Sequence, residues 1–170
     1  MRRSIAQRVA LAGMLTALMM VLGLVERQFP LPVGIPGIKL GLANSVLLYA
    51  VYMLTPKAAV ALMLVKTALS WFIYSNMNAM LYSFCGGALS LAAMLLVCRI
   101  PGMSEVGTSV SGAVFFNVGQ ILAAVWQLRT PQLLYTYLPV LLISGVVTGV
   151  LTGMVAKLVI RHLRYMTKQR

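Results

Sequence analysis

The sequence predicts an all-α membrane protein, a bundle of six transmembrane helices with both termini on the cytoplasmic side. Three observations predict it: an apolar excess, six apolar runs near spanning length, and basic residues gathered on alternate connections. Of the 170 residues 61% are hydrophobic and 9% are charged, with a mean hydropathy of +0.92. An ordinary soluble domain is roughly half apolar and about a quarter charged. A chain this short cannot hide so much apolar side chain from water. Its solvent is therefore lipid, and residues 1–170 read as a single integral membrane domain.

The apolar runs cover 9–25, 40–54, 58–74, 79–98, 109–128 and 133–160. A span needs about 20 residues, within a range of about 17–25. The first run follows Arg2, Arg3 and Arg8, as a signal peptide would, but five more runs follow and no small-x-small cleavage site closes it. It reads as a true span. The second is short unless it enters from the Gly/Pro segment before it. The sixth is long enough to begin at Pro139, where proline suits a first helical turn. Between the first two runs lies Gln28-Phe-Pro-Leu-Pro-Val-Gly-Ile-Pro-Gly-Ile-Lys39. Its prolines and glycines oppose a helix, and its apolar residues oppose a simple solvated linker. Irregular backbone beside a membrane is tolerated where it is buried in protein or lines a cavity, so 27–39 is expected to form an outer cap loop over a pocket.

Charge fixes the orientation. With the N-terminus inside, the cytoplasmic segments hold Arg2, Arg3, Arg8, Lys57, Arg99, Lys157, Arg161, Arg164, Lys168 and Arg170. The outer segments hold only Arg27, Lys39 and Arg129, and Lys66 lies mid-span. This is the asymmetry of the positive-inside rule. Trp71, Tyr74, Tyr82, Trp126, Tyr135 and Tyr137 fall near the outer ends, as an interfacial aromatic belt does. A pI near 10.4 would suggest nucleic acid in a soluble protein. Here the basic residues flank apolar segments, so the anionic face of a bilayer is the partner they fit.

Composition also excludes chemistry. The only carboxylates are Glu26 and Glu105, and there is no Asp. Paired-carboxylate hydrolysis, magnesium–phosphate chemistry on an acidic cluster and a Ser-His-Asp triad are ruled out. Cys85 and Cys98 are thirteen positions apart on one predicted helix, about 20 Å along its axis, too far for a disulfide. With a single histidine, His162, neither a metal site nor another cofactor is expected. No G-x-x-x-x-G-K-[ST] occurs to cradle ATP, so a partner would have to energise any uphill transport.

Small and polar residues supply the candidates. Ala6, Ala10, Gly13 and Ala17 form one stripe on the first helix, and Gly145, Gly149 and Gly153 form a double GxxxG on the sixth. Small residues let helix backbones approach closely in lipid. The sixth-helix stripe reads as internal packing, and the first-helix stripe fits either internal packing or docking onto another membrane protein. On the fifth helix Ser109, Ala113, Asn117, Gln120, Ala124 and Gln127 share an arc of roughly 80° at 100° per residue. That stripe suits a ligand with carbonyl, hydroxyl or ring-nitrogen edges, or hydrogen bonding between helices. Lys66 stacks with Ser70 and Tyr74, and a mid-membrane lysine costs about 2.5–3.5 kcal/mol on insertion scales. It faces an anionic ligand, snorkels, or pairs with Glu26.

Three segments carry a resemblance: Pro36-Gly-Ile-Lys-Leu-Gly-Leu-Ala-Asn44, Ser83-Phe-Cys-Gly-Gly-Ala-Leu-Ser90, and Ser109-Val-Ser-Gly-Ala-Val-Phe-Phe-Asn-Val-Gly-Gln120. In this order they resemble the Gx transporter family, also labelled heptaprenyl diphosphate synthase component I, over about residues 5–160. That family looks like a branch of the S components of energy-coupling factor (ECF) transporters. The resemblance implies an S-component-like bundle that binds a small, vitamin-like or lipophilic molecule from outside and is not an enzyme. It implies a transmembrane coupling protein with two ATPases as partner, docked through Ala6, Ala10, Gly13 and Ala17. The family's polar positions fall on Asn44, Ser83, Ser109, Asn117 and Gln120, and Lys66 joins them from the reading above. Where the family often carries His-Asn, this chain has Phe116-Asn117. The family's other label implies an alternative, a non-catalytic accessory subunit of polyprenyl diphosphate synthesis.

Overall fold

The computed structural model describes residues 4–28, 41–74 and 77–168. Six helices follow in order: α1 Ile5–Gln28, α2 Leu42–Met53, α3 Pro56–Tyr74, α4 Met77–Val97, α5 Glu105–Leu128 and α6 Gln132–Lys168. There is no strand among the described residues. The all-α expectation holds. Residues 29–39 of the expected cap loop lie outside the described residues.

Local chemistry sets the helix ends. The Ser4 Oγ accepts the Gln7 N–H at 3.3 Å while Gln7 Oε1 accepts the Ser4 N–H at 3.1 Å, a reciprocal cap on the orphan donors of a first turn. Thr55 accepts the Ala58 N–H at 3.3 Å, with Pro56 in the first helical position that suits its fixed φ. Ser104 accepts the Gly107 N–H at 3.1 Å, and Glu105 adds negative charge to the positive end of α5. The α2 cap comes from another helix. Gly41 precedes it at φ 74° without capping it through a side chain, and the Glu26 carboxylate at the end of α1 accepts the Leu42 N–H at 2.7 Å.

Five helices are long and apolar enough to cross a membrane, and α2 is the exception. Its 12 residues rise only about 18 Å, against a hydrocarbon core of about 30 Å. Its central place compensates: α2 touches all five other helices, with Leu48 and Ala50 fully buried. Around it the contacts run α1–α3, α3–α4, α4–α5 and α5–α6, while α1 meets only α2 and α3 among the described residues.

The sixth helix starts at Gln132, one residue before the expected run of 133–160, holds Pro139 inside it, and runs past residue 160 to Lys168. A proline removes one backbone donor and frees the carbonyl four residues earlier. That is tolerable near the start of a helix whose 37 residues extend about 56 Å, well beyond the thickness of a hydrocarbon core. Trp71, Trp126 and Tyr135 are exposed near the outer ends. The chain is a multi-pass membrane protein.

Candidate functional site

A cavity lies between α1, α2, α3 and α4, lined by Met19, Ala43, Asn44, Leu47, Met63, Lys66, Thr67, Ser83 and Gly87. Asn44 and Ser83 lie near the starts of their helices, the ends that the charge pattern leads one to expect outside. The free volume of the cavity is about 10 Å³, no more than one water molecule needs. Met19 and Met63 form much of its apolar wall, and unbranched thioether side chains readily change shape. The polar groups are an amide, an ammonium and two hydroxyls. The Thr67 hydroxyl donates to the Met63 carbonyl at 2.9 Å, which leaves its lone pairs available. Lys66 and Asn44 are half-buried and Ser83 is buried. The lining offers ammonium, amide and hydroxyl donors that can meet an anionic or electronegative group.

Three of the expected binding residues, Asn44, Lys66 and Ser83, therefore share one cavity. The other three lie elsewhere, on α5, and are not among its lining residues. Asn117 is buried and donates from Nδ2 to the Leu141 carbonyl of α6 at 2.7 Å. Ser109 is buried against α6, its Oγ 3.2 Å from Thr152 Oγ1. Gln120 packs on α4, where a methyl group built at Gly86 would lie 3.0 Å from its Cγ. Phe116 is buried in the same seam, its carbonyl oxygen 2.9 Å from that methyl position. The polar stripe of α5 is thus engaged with its neighbours. Ser70, one turn from Lys66 on the same face of α3, donates to Met20 Sδ of α1 at 3.7 Å.

Sequence reasoning missed Met19, Ala43, Leu47, Met63, Thr67 and Gly87. Helical spacing around the polar residues could have found three of them. Leu47 is three positions after Asn44, Met63 three before Lys66, and Gly87 four after Ser83, the spacings that share a helix face. Nothing in the sequence pointed to Met19.

The two small-residue stripes part company. A methyl group at Gly149 would lie 2.7 Å from the Val110 Cα, and one at Gly153 would lie 3.0 Å from the Val106 Cα. The α6 stripe packs directly on α5 backbone, as expected. On α1, Ala6, Ala10, Gly13 and Ala17 are all exposed, and a methyl group at Gly13 would meet nothing within 4 Å. This face is free.

Residues 15–159 match the family described as heptaprenyl diphosphate synthase component I. The chain belongs to that family. None of the curated proteins matches the chain. Among solved structures, the chain is similar to the subject of "Structure and mechanism of the S component of a bacterial ECF transporter", with TM-score 0.58, 20% identity and 98% of each chain covered. At that identity the likeness concerns fold, and the six-helix S-component architecture is shared along nearly the whole length of both chains.

Proposed function

We propose that the protein is a non-enzymatic, substrate-binding subunit of the cytoplasmic membrane, which captures a small molecule from the outer side. The observation that carries the reading is the cavity, where Asn44, Lys66, Thr67 and Ser83 converge in a protein otherwise built of apolar helices. Polar and ionisable groups within a membrane are costly and mark binding sites or pathways. The S-component fold supports the same reading. Ser109, Asn117 and Gln120 contribute by holding the bundle in shape behind the cavity.

Uptake would require a partner, and a transmembrane coupling protein driven by ATPases fits the exposed small-residue face of α1. A leucine at Gly13 would hold a partner backbone away and remove the close contacts that join helices in lipid. Gly13→Leu is expected to abolish co-purification of such a coupling protein while leaving the unfolding temperature unchanged. Retained co-purification would sink the docking assignment. Reporter fusions at Arg99 and Arg129 should respectively signal inside and outside, and same-side signals would overturn the orientation.

A second reading rests on the family's description, in which the chain assists polyprenyl diphosphate synthesis. Exposed Lys57, Arg99, Lys157 and Arg161 give the cytoplasmic side a charge that attracts diphosphates. Adding the purified protein to a soluble prenyl synthase separates the readings: altered product length or rate favours the second, and no change favours the first.

A further inference from the structure

Below the cavity, on the same side of α4, lies a polar group that the packing leaves unsatisfied. Ser90 is fully buried, and its Oγ has no hydrogen-bond partner among the described residues. A buried hydroxyl without a partner costs about 1–3 kcal/mol, so such groups call for an explanation. At 100° per residue, Ser83, Gly87 and Ser90 fall within roughly 60° of one another on the helix. Ser83 and Gly87 already line the cavity, which directs Ser90 toward the same space one turn further in.

Met63 stands at the boundary. A methyl group at Gly87 would lie 3.4 Å from Met63 Cγ and 3.5 Å from Sδ, so the thioether rests against the bare face of α4 and floors the cavity. Gly87 leaves room for Met63 there, and a methionine chain can swing away without backbone movement. The present free volume, about 10 Å³, is far too small for any organic ligand, so binding requires side chains to move. Met63 is the flexible side chain whose displacement extends the cavity along α4.

Resting on the binding-subunit reading, we propose that the site continues inward beneath Met63 to the Ser90 hydroxyl. The bound molecule is then elongated and carries two polar ends. Its anionic or electronegative end meets Lys66, with Asn44 and Ser83 nearby. A second hydrogen-bonding group meets Ser90, and an apolar middle lies against Met19, Leu47 and Met63. Seven residues separate Ser83 from Ser90, which sets the reach between the two levels at about 10 Å.

The test uses full-length protein with Cys85 and Cys98 replaced by alanine and a single cysteine introduced at residue 83, 90 or 156. The probe is the small anionic thiol reagent sulfonatoethyl methanethiosulfonate, added from outside to membrane vesicles. Ser83→Cys should react as side chains around the cavity move, and Ser90→Cys should react more slowly. Ala156→Cys, equally buried but on α6, should not react. If Met63 opens the floor only in a minor state of up to about 10%, Met63→Ala should speed reaction at Ser90→Cys at least tenfold. Reaction at residue 83 with none at residue 90 in the Met63→Ala background overturns the extension and spares the cavity as a binding site. No reaction at either residue overturns the cavity reading itself, and equal reaction at residue 156 overturns the extension by showing general opening. An experimental structure of Met63→Ala tests the same point without a cysteine at 90. Ordered solvent reaching Ser90 Oγ is expected, and a side chain closing over it instead overturns the proposal.

Discussion

The α4–α5–α6 half and the α1–α2–α3 half of this protein use similar residues for opposite ends. In the first, small residues disappear into backbone contact. A methyl group at Gly119 would lie 2.6 Å from the Cys85 carbonyl oxygen and 2.8 Å from the Gly86 Cα. The polar residues of α5 there are engaged with α6, Asn117 with Leu141 and Ser109 with Thr152. In the second half, the small residues of α1 face outward, and Asn44, Lys66 and Thr67 border a cavity. Burial follows suit, with 56% of the α5 span buried against 17% of the α1 span. A small or polar stripe is therefore a statement about close approach or solvation, and the neighbour decides whether it serves stability or recognition.

The largest expected effect breaks this contrast at the glycines. Gly119→Leu drives a branched side chain into α4 backbone, which cannot yield as a flexible side chain would. It should destabilise the protein by about 3 kcal/mol or more, seen as a steep fall in unfolding temperature or loss of folded protein in detergent. Gly13→Leu, with open space around it, should unfold at the wild-type temperature. Equal losses at the two sites would abolish the distinction between the halves.

A smaller effect sharpens it at the polar residues. Asn117→Leu removes the bond to the Leu141 carbonyl, and interhelical hydrogen bonds in membranes contribute about 0.6 kcal/mol on average and up to about 1.7 kcal/mol. A modest fall in thermal stability is expected, without loss of any molecule bound near Lys66. Ser83→Leu should do the reverse for binding, filling the cavity from α4 and displacing any molecule bound near Lys66, at an overpacking cost of about 1–3 kcal/mol.

The helices were legible because lipid imposes a length and an apolar composition on each span, and basic residues mark the inner ends. Their lengths were less so. The internal Pro139 of α6 is compatible with helix because water or neighbouring groups can satisfy the freed carbonyl, a condition the local sequence does not reveal. For α2, shortness signalled a problem, and its central burial supplied the answer. Within the candidate site, Asn44, Lys66 and Ser83 stood out because polar groups are rare in such spans. The α5 stripe stood out equally, and helical periodicity could say which residues share a face but not which helix that face meets. Met19 was silent, one methionine among twelve, and only the contact of α1 with α2 and α3 brings it to the cavity.

The central claim is that recognition resides in the α1–α4 cavity rather than in the α5–α6 seam. Native mass spectrometry of the detergent-solubilised protein measures this most directly, by comparing small molecules that co-purify with wild type, Lys66→Met, Ser83→Leu and Asn117→Leu. A bound small-molecule mass should accompany wild type and the folded fraction of Asn117→Leu, and it should be lost or reduced by tenfold or more in Lys66→Met and Ser83→Leu, as about 1.4 kcal/mol per lost contact implies. Retention of that mass in both cavity variants, with its loss in Asn117→Leu, would contradict the account and move the site to the seam.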